Sequence, residues 1–167
     1  MRIESPCFKS ISNLFVCFLF SYNDIGEFMP RVKYIKSDIN LLARIMRAEA
    51  LGEGNTGMLL VGTVVVNRVR ATCGPFKKAS SIEKTIYQKG QFEGVGTRLF
   101  NQSPTEHEKK LAKACLDYYT KWPATKALFF KNPGKGVPCP NTFYGKFIGK
   151  YKNHCFFGPE IGLNCKF

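Results

Sequence analysis

Residues Ser37 to Asn55 read S-D-I-N-L-L-A-R-I-M-R-A-E-A-L-G-E-G-N, and this stretch decides how the rest of the chain is understood. Ile39, Leu42, Ile45 and Met46 follow the i, i+3, i+4, i+7 spacing of one helical face. At 3.6 residues per turn, Glu49 projects into that face, bracketed by Leu42, Ile45 and Met46, while Arg44 and Arg47 point the other way. Ser37 is the expected N-cap, Asp38 falls in the first turn, and Gly52 and Gly54 stop the helix. Glu49 then lies in the last turn, near the negative end of the helix dipole. Burial and the dipole both disfavour its ionised form, so its pKa is expected to rise. A carboxylic acid still protonated near neutrality is what glycosidic bond cleavage needs as a proton donor. Buried glutamates also pair with arginines or cap backbone amides, so a purely structural role stays open at this point.

A chain of 167 residues is most simply one domain with a real core. Its net charge is +13, and three of its 12 acidic residues (Glu4, Asp24, Glu27) precede Met29, so the positive excess lies in residues 29–167. That excess points to an anionic partner such as nucleic acid, an acidic polymer or an acidic wall, or simply to solubility. Seven cysteines leave at least one without an internal partner. Cys139, Cys155 and Cys165, with Cys73 upstream, are compatible with one or two disulfides or with free thiols. His107 and His154 are the only histidines, which excludes a three-histidine zinc site; a mixed site from Cys139, His154, Cys155 and Cys165 has irregular spacing, and no metal is expected.

Residues 1 to 28 differ from the remainder. Ile11 to Tyr22 is an apolar run too short to span a bilayer, preceded by Arg2 and Lys9 but with no small-x-small cleavage site after it. An uncleaved signal or anchor, a weak signal peptide and translated sequence upstream of the real start all fit. The last is preferred, with Met29 opening the catalytic domain, residues 29–167. Met58 to Arg70 is apolar nearly all round and predicts a central buried helix, capped by Asn55 or Thr56, with Asn67 as a polar group close to the core. Ser80-x-x-Glu83 reads as a capping box for a short helix, and Ser103-Pro104-x-Glu106 as the start of a helix running to about Lys121. Leu111, Cys115, Tyr118 and Trp122 are its expected buried stripe, and His107 is expected in solvent. Between these helices the amide- and aromatic-rich loop Tyr87 to Glu93 suits sugar binding, and ordinary loop packing equally well. Ala127 to Phe130 reads as a strand. The tail Phe143 to Phe157 interleaves aromatic and basic residues, a pattern that serves nucleic-acid binding or, more often, a small sheet's core.

Taken together, L-L-A-R-I-M-R-A-E-A-L-G-E-G (41–54), G-M-L-L-V-G-T-V-V-V-N-R-V-R (57–70), I-Y-Q-K-G-Q-F-E (86–93), K-W-P-A (121–124) and F-I-G-K-Y-K-N-H-C-F (147–156) resemble the SleB/CwlJ family of spore cortex-lytic cell-wall hydrolases, closest to the CwlJ branch. The resemblance implies a mainly helical α+β single domain with a small sheet and a lytic-transglycosylase-like catalytic glutamate. It implies cleavage of peptidoglycan glycan strands during germination, in the coat or cortex of a spore-forming bacterium. It carries the family's catalytic acid onto Glu49. An ordinary two-carboxylate hydrolysis needs a second acid, for which Glu53, one helical turn on, is the first choice and Glu93, in the amide-rich loop, the next. Tyr87, Gln88, Gln91, Phe92 and Phe130 are the expected glycan-cleft residues, with Asn67 and His154 holding polar groups around them or serving structure. The resemblance further implies activation by calcium dipicolinate, and wall binding through either the catalytic domain itself or a coat protein partner; no other cofactor, no nucleic-acid partner and no transmembrane span is expected. Two rivals remain open on the sequence: an amidase using a metal or an activated cysteine, Cys73 or Cys155 with His154, and a non-enzymatic basic coat or nucleic-acid-binding protein.

Overall fold

The computed structural model describes residues 29–160, 162–163 and 165–167, together with the backbone of a two-residue antiparallel ladder, β1 (Phe8–Lys9) with β2 (Phe15–Val16). The Ile11–Tyr22 run lies, apart from β2, outside the described residues. Within them no helix is long and apolar enough to cross a membrane. The elements that build the domain are α1 (Lys36–Ala50), α2 (Gly54–Arg70), α3 (Ile82–Ile86), α4 (Arg98–Asn101), α5 (Glu106–Asp117), β3 (Phe129–Lys131), β4 (Phe147–Tyr151) and β5 (His154–Phe157). The mainly helical α+β architecture expected from the sequence is the one observed.

The central element is α2, whose apolar surface meets partners on several sides. Val61, Val65 and Val66 pack with Leu42, Ile45 and Met46 of α1 and with Ala112, Cys115 and Leu116 of α5. Leu60 and Val64 face Ala124, Ala127 and Phe156 instead, joining the helices to the sheet. The three strands run antiparallel in the order β3-β5-β4, with Phe130 opposite Phe156 and Tyr151 opposite His154. All four side chains of β5 are buried, so the last strand of the aromatic tail is core. Two disulfides, Cys73–Cys165 and Cys139–Cys155, tie the sheet and its flanking loops together, and Cys115 is a free, buried thiol.

Helix starts are displaced from those expected. The N-cap of α1 is Ile35 rather than Ser37, and Asp38 reaches back to accept the Ile35 N–H at 2.9 Å. Ser81, not Ser80, caps α3 by accepting the Lys84 N–H. For α5 the capping box is Thr105 with Glu108, not Ser103 with Glu106, and the helix stops at Asp117. Tyr118 and Trp122 are consequently exposed, and the buried stripe passes through Ala112, Cys115 and Leu116. The short α4 has no counterpart among the expected elements.

The largest correction concerns Arg47, which is buried rather than solvent-facing. Its guanidinium donates to the carbonyls of Leu99, Gln102 and Ser103 and pairs with Glu108 at 3.0 Å. It thus serves the chain between α4 and α5, whose carbonyls have no helical partners. Replacement by leucine keeps the volume but strands those acceptors and the Glu108 charge. Arg47→Leu is therefore expected to lower unfolding free energy by about 3–5 kcal/mol, read as a shift of the urea midpoint; a shift within error would show the network to be dispensable.

Candidate active site

Glu49 sits on the last turn of α1 and lines a cleft of ≈ 920 Å³ between the helical core and the sheet. The loop after α3 closes over it, and Gly94 donates its N–H to Glu49 Oε1 at 2.6 Å. A side chain at Gly94 is sterically excluded: a Cβ there would lie 2.8 Å from Ala48 Cβ and 2.9 Å from Glu49 Oε1. Only glycine lets the backbone come this close. Burial raises the Glu49 pKa, the Gly94 bond opposes that rise, the Glu93 charge adds to it and the Arg68 charge opposes it; the net direction is upward. Since Oε1 accepts, the proton belongs on Oε2.

Arg68, on the last turns of α2, contributes a buried cation to the same cleft. Nε donates to the Leu128 carbonyl at 2.6 Å, the guanidinium lies 4.7 Å from the Phe92 ring centre and 5.1 Å from that of Phe76, and Nη1 has no hydrogen-bond partner. Burial brings its pKa down to about 9, with Glu49 acting in the opposite sense. Its one signal in the sequence is a cation placed among Val65, Val66 and Val69, easily taken for the polar end of an apolar helix.

The other expected site residues divide into two groups. Gln91, Phe130 and His154 line the cleft with Glu49. His154 is buried edge-on to Phe130, Nδ1 has no partner, and burial lowers its pKa against the raising effect of Glu53. Phe92 supports this surface from behind, against Phe130 and Arg68. Tyr87 is exposed, edge-on to Phe100, and neither it nor Gln88 lines the cleft. Asn67 is fully buried and saturated: it accepts from Arg31 and donates to the carbonyls of Ala124, Thr125 and Ala127, so it joins α2 to the Lys121–Ala127 turn.

Glu53 is also placed away from the cleft lining. A 3₁₀ turn over Leu51–Glu53 comes after α1 and redirects the chain, so Glu53 does not stack one helical turn above Glu49. Its carboxylate accepts from the Asn153 side-chain amide at 2.9 Å and backbone N–H at 3.2 Å, and its carbonyl accepts from Lys152. It anchors the β4–β5 turn. Glu93, the next choice, is exposed and does line the cleft. The candidate nucleophiles Cys73 and Cys155 are both in disulfides, which removes the thiol route to an amidase. Among the described residues no three His, Cys, Asp or Glu side chains gather as a metal site.

A family model described as Cell Wall Hydrolase matches residues 52–157, and the chain belongs to that family. The match begins just beyond Glu49, so the case for this residue rests on site geometry. Among individual proteins, the cell wall hydrolase CwlJ of Bacillus subtilis is 40% identical over 132 residues, which cover 78% of this chain and 92% of that protein. CwlJ of Halalkalibacterium halodurans is 42% identical over 133 residues, with the same coverage of 78% and 92%. The spore cortex-lytic enzyme of Bacillus cereus is 31% identical over 101 residues, 60% of this chain but 36% of its own length. The fold matches the catalytic domain of Bacillus cereus SleB with a TM-score of 0.61 at 24% identity, covering 79% of this chain and 99% of that one. For the Bacillus anthracis SleB catalytic domain, described as a germination-specific lytic transglycosylase, the values are 0.60 and 23%, covering 74% and 96%.

A raised carboxyl pKa has a thermodynamic signature. Between the unfolded pKa and the higher folded one, the native state holds more protons, so Glu49 costs stability as pH rises through that window. Glu49→Gln removes the cost. The variant should match the parent most closely below about pH 4.5, where Glu49 is protonated in both states, and gain relative stability as pH increases, levelling above the folded pKa. Denaturation midpoints measured across pH check this; a constant offset at every pH would count against a raised pKa.

Proposed function

We propose that this protein cleaves the glycan strands of spore cortex peptidoglycan during germination, with Glu49 acting first as acid and then as base. The observation that carries this is the partly buried Glu49 carboxyl on the cleft wall, its proton favoured by desolvation and one oxygen held by Gly94. Protonated Glu49 donates from Oε2 to the glycosidic oxygen. The bond from that oxygen to the anomeric carbon breaks, its electron pair leaves on the oxygen, and positive charge develops at the carbon. The new Glu49 carboxylate then takes the proton of the muramoyl 6-hydroxyl, whose oxygen closes onto the anomeric carbon. The product is a 1,6-anhydro end, and no water is consumed.

This single-glutamate route is preferred to two-carboxylate hydrolysis because Glu53 is committed to Asn153 and lies off the cleft. The name given to the SleB relative supports it. Residues 29–167 form the catalytic unit in this reading. The two disulfides support a location outside the reducing cytoplasm, in the coat or cortex. A coat protein tether and activation by calcium dipicolinate enter from the family resemblance alone; adding calcium dipicolinate to the purified enzyme tests the second.

Glu49→Gln should reduce muropeptide release from purified cortex by about 10²–10⁴-fold, the usual worth of a positioned acid. Mass analysis of the products separates anhydro from reducing ends by one water, and reducing ends alone would reject the transglycosylase route. Glu93→Gln should remain active with a displaced pH profile. Glu93 raises the Glu49 pKa, so its removal lowers that pKa and moves the loss of activity at high pH to lower pH. Inactivation of Glu93→Gln as complete as that of Glu49→Gln would instead make Glu93 the second catalytic carboxylate.

A further inference from the structure

The cleft that Glu49 lines also holds an aromatic side chain that packing does not explain. Tyr144 stands at the tip of a tight loop between Thr142 and Lys146, which pair as an antiparallel bridge. Its backbone is left-handed, with φ +54°. A bulky residue adopts that conformation at a cost, and turn tips that need it normally carry glycine, asparagine or aspartate. The ring lies 4.8 Å from Phe143, edge-on, and 5.5 Å from Phe129, centre to centre. Tyr144 nevertheless remains 71% exposed. Its two aromatic neighbours thus orient the ring without burying it.

The loop beneath the ring is firmly held. The Cys139–Cys155 disulfide ties it to β5, Phe147 donates its N–H to the Asn141 carbonyl at 3.1 Å, and Gly158 donates to the Lys146 carbonyl at 2.8 Å. Phe129, Phe130, Phe143 and Tyr144 line the same cleft as Glu49. A strained, oriented, solvent-facing ring on the wall of a substrate cleft is a local conflict of the kind that collects at functional positions.

We propose that Tyr144 is a glycan-binding residue, its ring forming a platform for the apolar face of a pyranose unit of the strand that Glu49 cleaves. A hexopyranose presents C–H groups on its face and hydroxyls at its rim, so an aromatic ring covers the first while leaving the second hydrated. Because the ring is already oriented, little ordering entropy is lost on binding. Lys131, whose Nζ lies 5.1 Å from the Phe143 ring centre and which also lines the cleft, is available to the rim hydroxyls. The platform rests on the glycan-cleaving reading above and adds to it a specific binding position.

Affinity for peptide-free glycan strands from purified cortex is the test, measured in a Glu49→Gln background so that strands are bound but not cut. In that background Tyr144→Phe and Tyr144→Trp should bind within about twofold of the parent, and Tyr144→Gly about tenfold more weakly, the scale of one aromatic contact. Glycine relieves the left-handed backbone, so the weaker binding should come without a fall in Tm; Tyr144→Asn serves as a second variant suited to that conformation. Unchanged affinity in the glycine and asparagine variants overturns the platform while leaving the glycan reading intact. Phenylalanine binding as weakly as glycine would overturn it too, since the hydroxyl and not the ring would then be responsible. Loss of Tm in both the glycine and asparagine variants would make Tyr144 a structural residue. Failure of the Glu49→Gln parent itself to bind glycan would overturn both the platform and the reading beneath it.

Discussion

Three helices meet at a glycine. A Cβ at Gly62 of α2 would lie 2.8 Å from Met46 Sδ of α1 and 2.7 Å from Cys115 Sγ of α5. Both partners are fully buried and have no free volume to retreat into. Any side chain at that position would therefore push α1 or α5 outward. Met46 lies less than one helical turn before Glu49, so the distance between α1 and α2 at Gly62 also sets where the carboxyl emerges on the cleft. Packing of the helical core and placement of the acid are one constraint.

Two arginine–glutamate combinations in this small domain show how differently the same groups can be used. Arg47 and Glu108 are both buried and directly paired, and the pair is completed by backbone carbonyls. Glu49 and Arg68 share a cleft, yet no ion pair joins them. Arg68 is held back by the Leu128 carbonyl and by the faces of Phe76 and Phe92. Had the two met, the guanidinium would have drawn the proton off Glu49. Separation leaves desolvation as the dominant influence on Glu49, which is the condition for a proton donor. It also leaves a nearby cation whose charge favours the Glu49 carboxylate without overriding desolvation.

Periodicity makes α1 and α2 legible, and with them the direction of Glu49, because an apolar stripe repeats locally and needs no distant partner to be seen. What the pattern cannot show are groups whose role is set across the fold. Arg47 falls on the polar side of α1 by spacing and is buried only because a chain segment 52 to 61 residues away brings carbonyls and Glu108 to it. The Ser103 carbonyl likewise turns to Arg47, and α5 begins two residues further on, capped by Thr105. Glu53 departs from expectation for a different reason. Extending α1 by one turn puts it above Glu49, but the helix ends at Ala50 and the 3₁₀ turn sends the carboxylate towards Asn153. Asn67 stands out in the sequence as a polar group near the core, and both its amide nitrogen and its oxygen prove to be bonded within the protein.

The two ends of the cleft are held by different forces. The Glu49 end is built on α1 and α2, which bury a continuous core and need no cross-link. The aromatic end rests on three strands of three to five residues, too few to supply an independent core. There the chain uses covalent bonds. Cys73–Cys165 closes a separation of 92 residues, which restricts the unfolded chain by on the order of 4–5 kcal/mol in the chain-entropy account. Both of its cysteines line the cleft, and the second disulfide anchors the loop that carries Tyr144. A long polymer substrate demands a cleft that keeps its shape along its whole length. Helix packing meets that demand where the proton is held, and the disulfides meet it where the small sheet cannot.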